Sequence, residues 1–297
     1  MAEPQNAQLW WQRESVRGSR ALILSSLAFS LMTVCVKQLN SRLPVAEIVL
    51  SRALISIVLT AVGLRIAGVS PWGHRRGLLV ARGVLGSLAL LCFFEAIDQL
   101  PLASATVLQY TYPTFTAVAA LLLLGEPLRR RIITAVLLGW IGVTLVVQPQ
   151  WLTGTAQPAQ LIPALIGIAG ALMTALAYVS VRRLSETENP LVIILYFPMI
   201  SVPLTLPWVL HQGVWPQGIE WFWLLGVGVM TQLGQIWVTE GLRCLPAARA
   251  TSINYVQVVF AAGWGWLWFA ESVNAWQVGG GMLVLGATFI SLSTRSN

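Results

Sequence analysis

Apolar residues in this chain come in long runs separated by short polar links. Ten runs can be marked, near 21–39, 44–66, 77–98, 102–124, 130–148, 160–182, 190–210, 219–242, 247–270 and 275–293. Each is about long enough to cross a hydrocarbon layer as helix, which takes about 20 residues. Inside lipid the backbone must satisfy its own hydrogen bonds, so runs of this length predict helices. The pattern predicts an all-α integral membrane protein with ten transmembrane helices.

The polar positions inside the runs add a second pattern. The stretch from Phe94 to Pro127 returns 145 residues later in one ungapped frame. Glu95 matches Glu240, Pro101 matches Pro246, Thr106 matches Thr251, Tyr110 matches Tyr255 and Glu126 matches Glu271. Leucine and alanine matches are cheap in so apolar a chain, but Glu, Pro, Thr and Tyr in register are not. The chain is read as a duplicated unit. Its expected parts are a polar tail over 1–20, a five-helix repeat over 21–148, a linker over 149–159 and a second five-helix repeat over 160–294. An odd number of crossings per repeat inverts the second copy. That predicts a pseudo-two-fold axis in the membrane plane, the layout of secondary transporters, whose sites lie at midplane between the halves.

Composition supports a bilayer setting. Hydrophobic residues make up 56% and charged residues 10%, against about 25% charged in soluble proteins. The net charge of +7 does not point to nucleic acid, because the arginines sit in short clusters between apolar runs. Arg13, Arg17 and Arg20, then Arg65, Arg75, Arg76 and Arg82, then Arg129 to Arg131, Arg182, Arg183, Arg243 and Arg249 all fall to one side. Only Lys37 and Arg42 fall in links on the other. Both termini are therefore expected in the cytoplasm. Trp72, Trp151, Trp215, Trp221 and Trp276 lie at run ends, as an interfacial belt would. No removable leader is evident, so the first run is expected to remain a membrane helix. The three cysteines, Cys35, Cys92 and Cys244, lie in or beside apolar runs and suggest neither a metal site nor a disulfide.

The chain resembles the EamA-like family of the drug/metabolite transporter superfamily. The resemblance rests on Ala96–Ile97, Leu100–Pro101, Ala103, Ala105, Pro113 and Gly125–Glu126, with Leu245–Pro246, Ala248, Ala250 and Ala270–Glu271 in the second half. Val258 stands where Pro113 stands, and Ala270 replaces the glycine, so helix 9 is expected to lack a kink that Pro113 gives helix 4. The resemblance implies a carrier of small organic molecules such as amino acids, nucleosides or drugs.

Charge within a membrane helix marks candidate function. Glu95 and Glu240 are expected at opposite mouths of the pathway, as gates or proton carriers, or else as loop caps with Arg243 beside Glu240. Arg52 is open between a latch to a carboxylate such as Glu95, a ligand for an anionic substrate group and a structural ion pair. Glu126 and Glu271 are read as caps for the segments that follow them. The expected cavity lining is Thr106, Gln109 and Tyr110 on helix 4, with Thr251, Asn254 and Tyr255 on helix 9. Gln235 and Trp237 on helix 8, Tyr178 on helix 6 and Met32 on helix 1 join them. The competing role for such residues is interhelical bonding.

No nucleophile–base pair or phosphate-binding glycine loop is present, so neither an enzyme nor an ATP-driven pump is expected, and no cofactor or metal. The partners expected are a small-molecule substrate and the lipid bilayer, with a homodimer left open. The function expected is secondary transport by alternating access, driven by the substrate gradient or a proton. An amphipathic or aromatic solute is favoured, amino acids first. A non-transporting receptor or scaffold is the alternative.

Overall fold

The structure, a computed structural model, describes residues 3–39, 42–100, 102–147, 161–270 and 274–293. The linker expected over 149–159, Trp151 and Glu271 lie outside the described residues. Twelve helical segments are described: α1 (Glu3–Leu39), α2 (Val45–Ala67), α3 (Arg76–Gln99), α4 (Leu102–Gln109), α5 (Tyr112–Leu124), α6 (Arg130–Val147), α7 (Leu161–Leu184), α8 (Pro190–Gln212), α9 (Glu220–Cys244), α10 (Ala247–Ile253), α11 (Val256–Phe269) and α12 (Ala275–Ser293). They make ten passes, because α4 with α5 forms the fourth and α10 with α11 the ninth. Adding 145 to the limits of α2 gives those of α8, and α3 maps onto α9 within a residue. The repeat is thus carried by the whole of these elements.

Helix packing has the symmetry that the inversion requires. α1 packs along α9 as α7 packs along α3, and α11 lies on α1 as α5 lies on α7. The pairs α2 with α8 and α6 with α12 map onto themselves. Small residues set the closest approach, as is usual where lipid removes a hydrophobic drive between helices. At the α6–α12 crossing a Cβ on Gly142 would lie 2.7 Å from the Gly280 carbonyl, and one on Gly280 2.6 Å from the Gly142 carbonyl. Leu121, Leu122, Trp266, Leu267, Phe289 and other large apolar side chains are exposed. In water such a surface would aggregate; in a bilayer it faces acyl chains.

Two expectations change. The first pass extends well before residue 21, as one helix from Glu3. Passes four and nine are both broken, so Pro113 is not what breaks the fourth. Both breaks are tight turns closed by i→i−3 bonds. Thr111 N–H donates to Leu108 at 3.1 Å, Asn254 N–H to Thr251 at 3.2 Å and Gln257 N–H to Asn254 at 3.1 Å. Pro113 sits in the first turn of α5, where a missing N–H costs nothing. Ala270 likewise holds the left-handed conformation that Gly125 holds in the first half, with φ 51° against 67°. Fold position rather than residue type fixes both features.

Candidate functional site

The two breaks meet. Tyr110 follows α4 and Tyr255 precedes α11, and their rings stack at 6.2 Å between centroids. Because these residues are repeat equivalents, the pseudo-axis runs between them. Tyr110 also contacts Tyr112 at 6.2 Å, and Tyr112 contacts Tyr178 of α7 at 5.4 Å. Four of the chain's five tyrosines therefore form one cluster. The fifth, Tyr196, donates instead to the Trp72 carbonyl. Gln109 donates to Thr174 Oγ1 at 3.0 Å. Its Oε1, and Oδ1 of its equivalent Asn254, are buried acceptors without a protein donor. A buried polar atom without a partner needs a reason, and here the same reason is needed at the same position in both halves.

The expected lining residues divide three ways. Gln109, Tyr110, Asn254, Tyr255 and Tyr178 gather at the breaks. Thr106 of α4 is half-buried, whereas Thr251 turns inward on its own helix and donates to the Ala247 carbonyl. Met32 accepts from Thr231 through Sδ at 3.0 Å, joining α1 to α9. Gln235 accepts from Arg82, and Trp237 lies elsewhere, in a cleft of about 660 Å³ lined by Arg13, Arg17, Arg20 and Glu240. Gln232 acts between helices: Ser56 donates to it at 2.5 Å and it donates to Thr60 at 2.9 Å.

Arg82 is the residue that the sequence reading missed. The sequence places it just inside the third apolar run, where it counts as one more charge on the basic side. In the structure it is 4% exposed, and its Nη1 lies against Gly86, about 15 Å along α3 from its start. Nη2 donates to Gln235 Oε1 at 3.2 Å, and Nε has no partner. Its guanidinium carbon is 5.0 Å from the Phe197 ring centre. Arg52 reaches the same ring at 5.5 Å. A charge at the centre of a membrane helix costs about 2.5–3.5 kcal/mol, and a cation–π contact returns about 1–2 kcal/mol. The one signal in the sequence was the six-residue gap that carries Arg82 past Arg76 and into the apolar run.

The latch between Arg52 and Glu95 is not formed. Glu95 is exposed and accepts from Gln99 on its own helix. Glu240 pairs with Arg17 of α1 at 2.7 Å and with Arg243 at 3.1 Å. Glu126 caps the other half of the chain rather than the segment after it: its Oε2 accepts the Ala247 N–H at 2.8 Å. Arg182 donates to Glu126 at 2.9 Å and to the Leu242 and Arg243 carbonyls. Replacing Arg182 with alanine removes these three bonds together and is expected to lower stability by about 2 kcal/mol. The midpoint of thermal unfolding in detergent reads this. On the opposite face Arg42 is bound bidentately by Glu220, which holds its guanidinium above the usual arginine value.

Two inverted bundles around a shared polar and aromatic centre define a carrier-type membrane protein. The model of the EamA-like transporter family matches residues 17–148 and 161–293, so the chain belongs to that family. It is 33% identical over 274 residues to the Pseudopaline exporter CntI of Pseudomonas aeruginosa, covering 92% of this chain and 95% of that one. It is 26% identical over 278 residues to Solute carrier family 35 member G1 of Homo sapiens, covering 89% and 76%. A crystal structure at 18% identity superposes with TM-score 0.80 over 94% of this chain and 96% of its own, which shows the shared fold. These relatives are transporters, not enzymes. The protein is a multi-pass membrane transporter of small molecules.

Proposed function

We propose that the chain carries a small organic metabolite, amphipathic or aromatic, across a bacterial inner membrane by alternating access. The arginine distribution supports cytoplasmic termini. The observation that carries this reading is the meeting of equivalent helix breaks at the pseudo-axis, with Tyr110 on Tyr255 and the orphaned acceptors of Gln109 and Asn254 beside them. Symmetry makes two states of similar energy natural, since exchanging the conformations of the halves turns one opening into the other. Tyrosine faces supply stacking, and the orphaned acceptors supply hydrogen bonds to a polar group.

Gating belongs to the helix ends. Glu240 with Arg17 ties α1 to α9 at the basic face, while Glu95 occupies the equivalent place at the other mouth. A proton or the substrate gradient would drive the cycle. Single cysteines at positions 109 and 254, in a chain freed of Cys35, Cys92 and Cys244, test the reading. Both should react with an impermeant maleimide from either side of the membrane during turnover. Reaction from one side alone under every condition rejects alternating access.

A further inference from the structure

Two guanidinium groups stand within the membrane layer and share one aromatic ring, and among the described residues neither is in a salt bridge. Arg52 of α2 and Arg82 of α3 both approach Phe197 of α8. Among the described residues Arg52 has no hydrogen bond or ion pair, and its ring contact is the interaction it makes. The described carboxylates of α2, α3 and α9 have other partners: Glu47 the Val214 N–H, Glu95 Gln99, Glu220 Arg42 and Glu240 Arg17. Position 52 is the repeat equivalent of position 197, so the Arg52–Phe197 contact straddles the same pseudo-axis as the Tyr110–Tyr255 stack.

Arg52, Tyr110 and Tyr178 are half-buried, and each keeps part of its surface accessible. Arg82 is packed tightly from one side, because a Cβ on Gly86 would come within 2.7 Å of its Nη1 and 2.9 Å of Phe197. Gln235 holds one nitrogen, which leaves Nε, buried and unpartnered, for another acceptor. Tyr178 is within electrostatic reach of Arg82 and leads through Tyr112 to the Tyr110–Tyr255 stack.

We propose that Arg52 and Arg82 bind the carboxylate groups of an organic anion, with Phe197 as the floor between them and the tyrosine cluster against its organic part. A planar guanidinium matches a carboxylate through paired N–H bonds. Two such groups without counter-ions suit a substrate that brings at least one negative charge and neutralises them on binding. This deepens the transport reading and rests on it for the word substrate.

The test is the unfolding midpoint of the purified full-length protein in nanodiscs, with citrate, succinate, inorganic phosphate or choline chloride at matched ionic strength. Citrate or succinate is expected to raise the wild-type midpoint by about 3 °C, with no rise from choline chloride and a smaller one from phosphate. The double variant R52Q/R82Q should lose the rise, while R52K/R82K keeps part of it. Without ligand, R52Q/R82Q should melt no lower than wild type, because it removes two uncompensated charges. A large loss of midpoint without ligand would mark the pair as structural and overturn the site. So would the absence of any carboxylate effect, or one unchanged in R52Q/R82Q; an equal response to phosphate would overturn the carboxylate assignment. Stabilisation by carboxylates without two-sided labelling at 109 and 254 keeps this site and removes the carrier. Two-sided labelling without stabilisation does the reverse.

Discussion

Tyr255→Ala is expected to destabilise the protein by about 3–5 kcal/mol and to abolish transport. Tyr255 is fully buried and belongs to a cluster with Val107, Val143, Val258 and Val284. It lies so close to α6 that a Cβ on Gly139 would overlap its ring. Removing the ring leaves a void among α4, α6, α11 and α12, at the place where Gly139 makes room for it. Tyr110 loses the face on which it stacks, so the centre between the halves is lost along with the packing. Tyr255→Phe keeps the ring and should keep most of the stability. Equilibrium unfolding in mixed micelles separates the two. An alanine variant as stable as the phenylalanine variant would show that the ring carries no packing.

Gly280→Leu is expected to cost about 3 kcal/mol or more, at the upper end for overpacking. The obstacle on α6 is backbone, the Gly142 carbonyl and the Val146 nitrogen, with the Leu145 Cβ beside them. Such atoms move only if the helix moves. α6 and α12 pair across the pseudo-axis, so a displacement there pushes both halves apart. Gly142→Leu meets the Gly280 carbonyl and the Val284 nitrogen and should behave alike. Gly281→Leu and Gly286→Leu, on the same helix with nothing within 4 Å of a Cβ, should be close to neutral. The four variants compared by thermal unfolding test whether close approach, rather than loss of glycine as such, sets the cost.

Much of the architecture was legible because it follows from local physics. An apolar run of spanning length must be helix in lipid. Glu95 with Glu240 and Tyr110 with Tyr255 stand at one fixed spacing, which revealed the duplication before any packing was known. Five crossings per copy then required inversion. The breaks were less legible. Proline signalled one at the fourth pass and its absence argued against one at the ninth, yet both passes turn at the same place. Their i→i−3 bonds need no special residue once neighbouring helices fix the path of the chain.

The sequence by itself determined the class, the ten passes, the duplicated inverted plan and the tyrosines and amides near its centre. Which polar groups meet was decided by the tertiary structure alone. Arg82 reads as a charge of the basic side just inside the third run, because hydropathy places any arginine near a run's end at the interface. Packing of α3 against α8, at the expense of a side chain on Gly86, turns it inward to Phe197 and Gln235. Arg52 had several open partners in the sequence and meets Phe197. The reason is that association inside lipid depends on how closely particular faces approach, and that is a property of pairs of helices, which no single run contains.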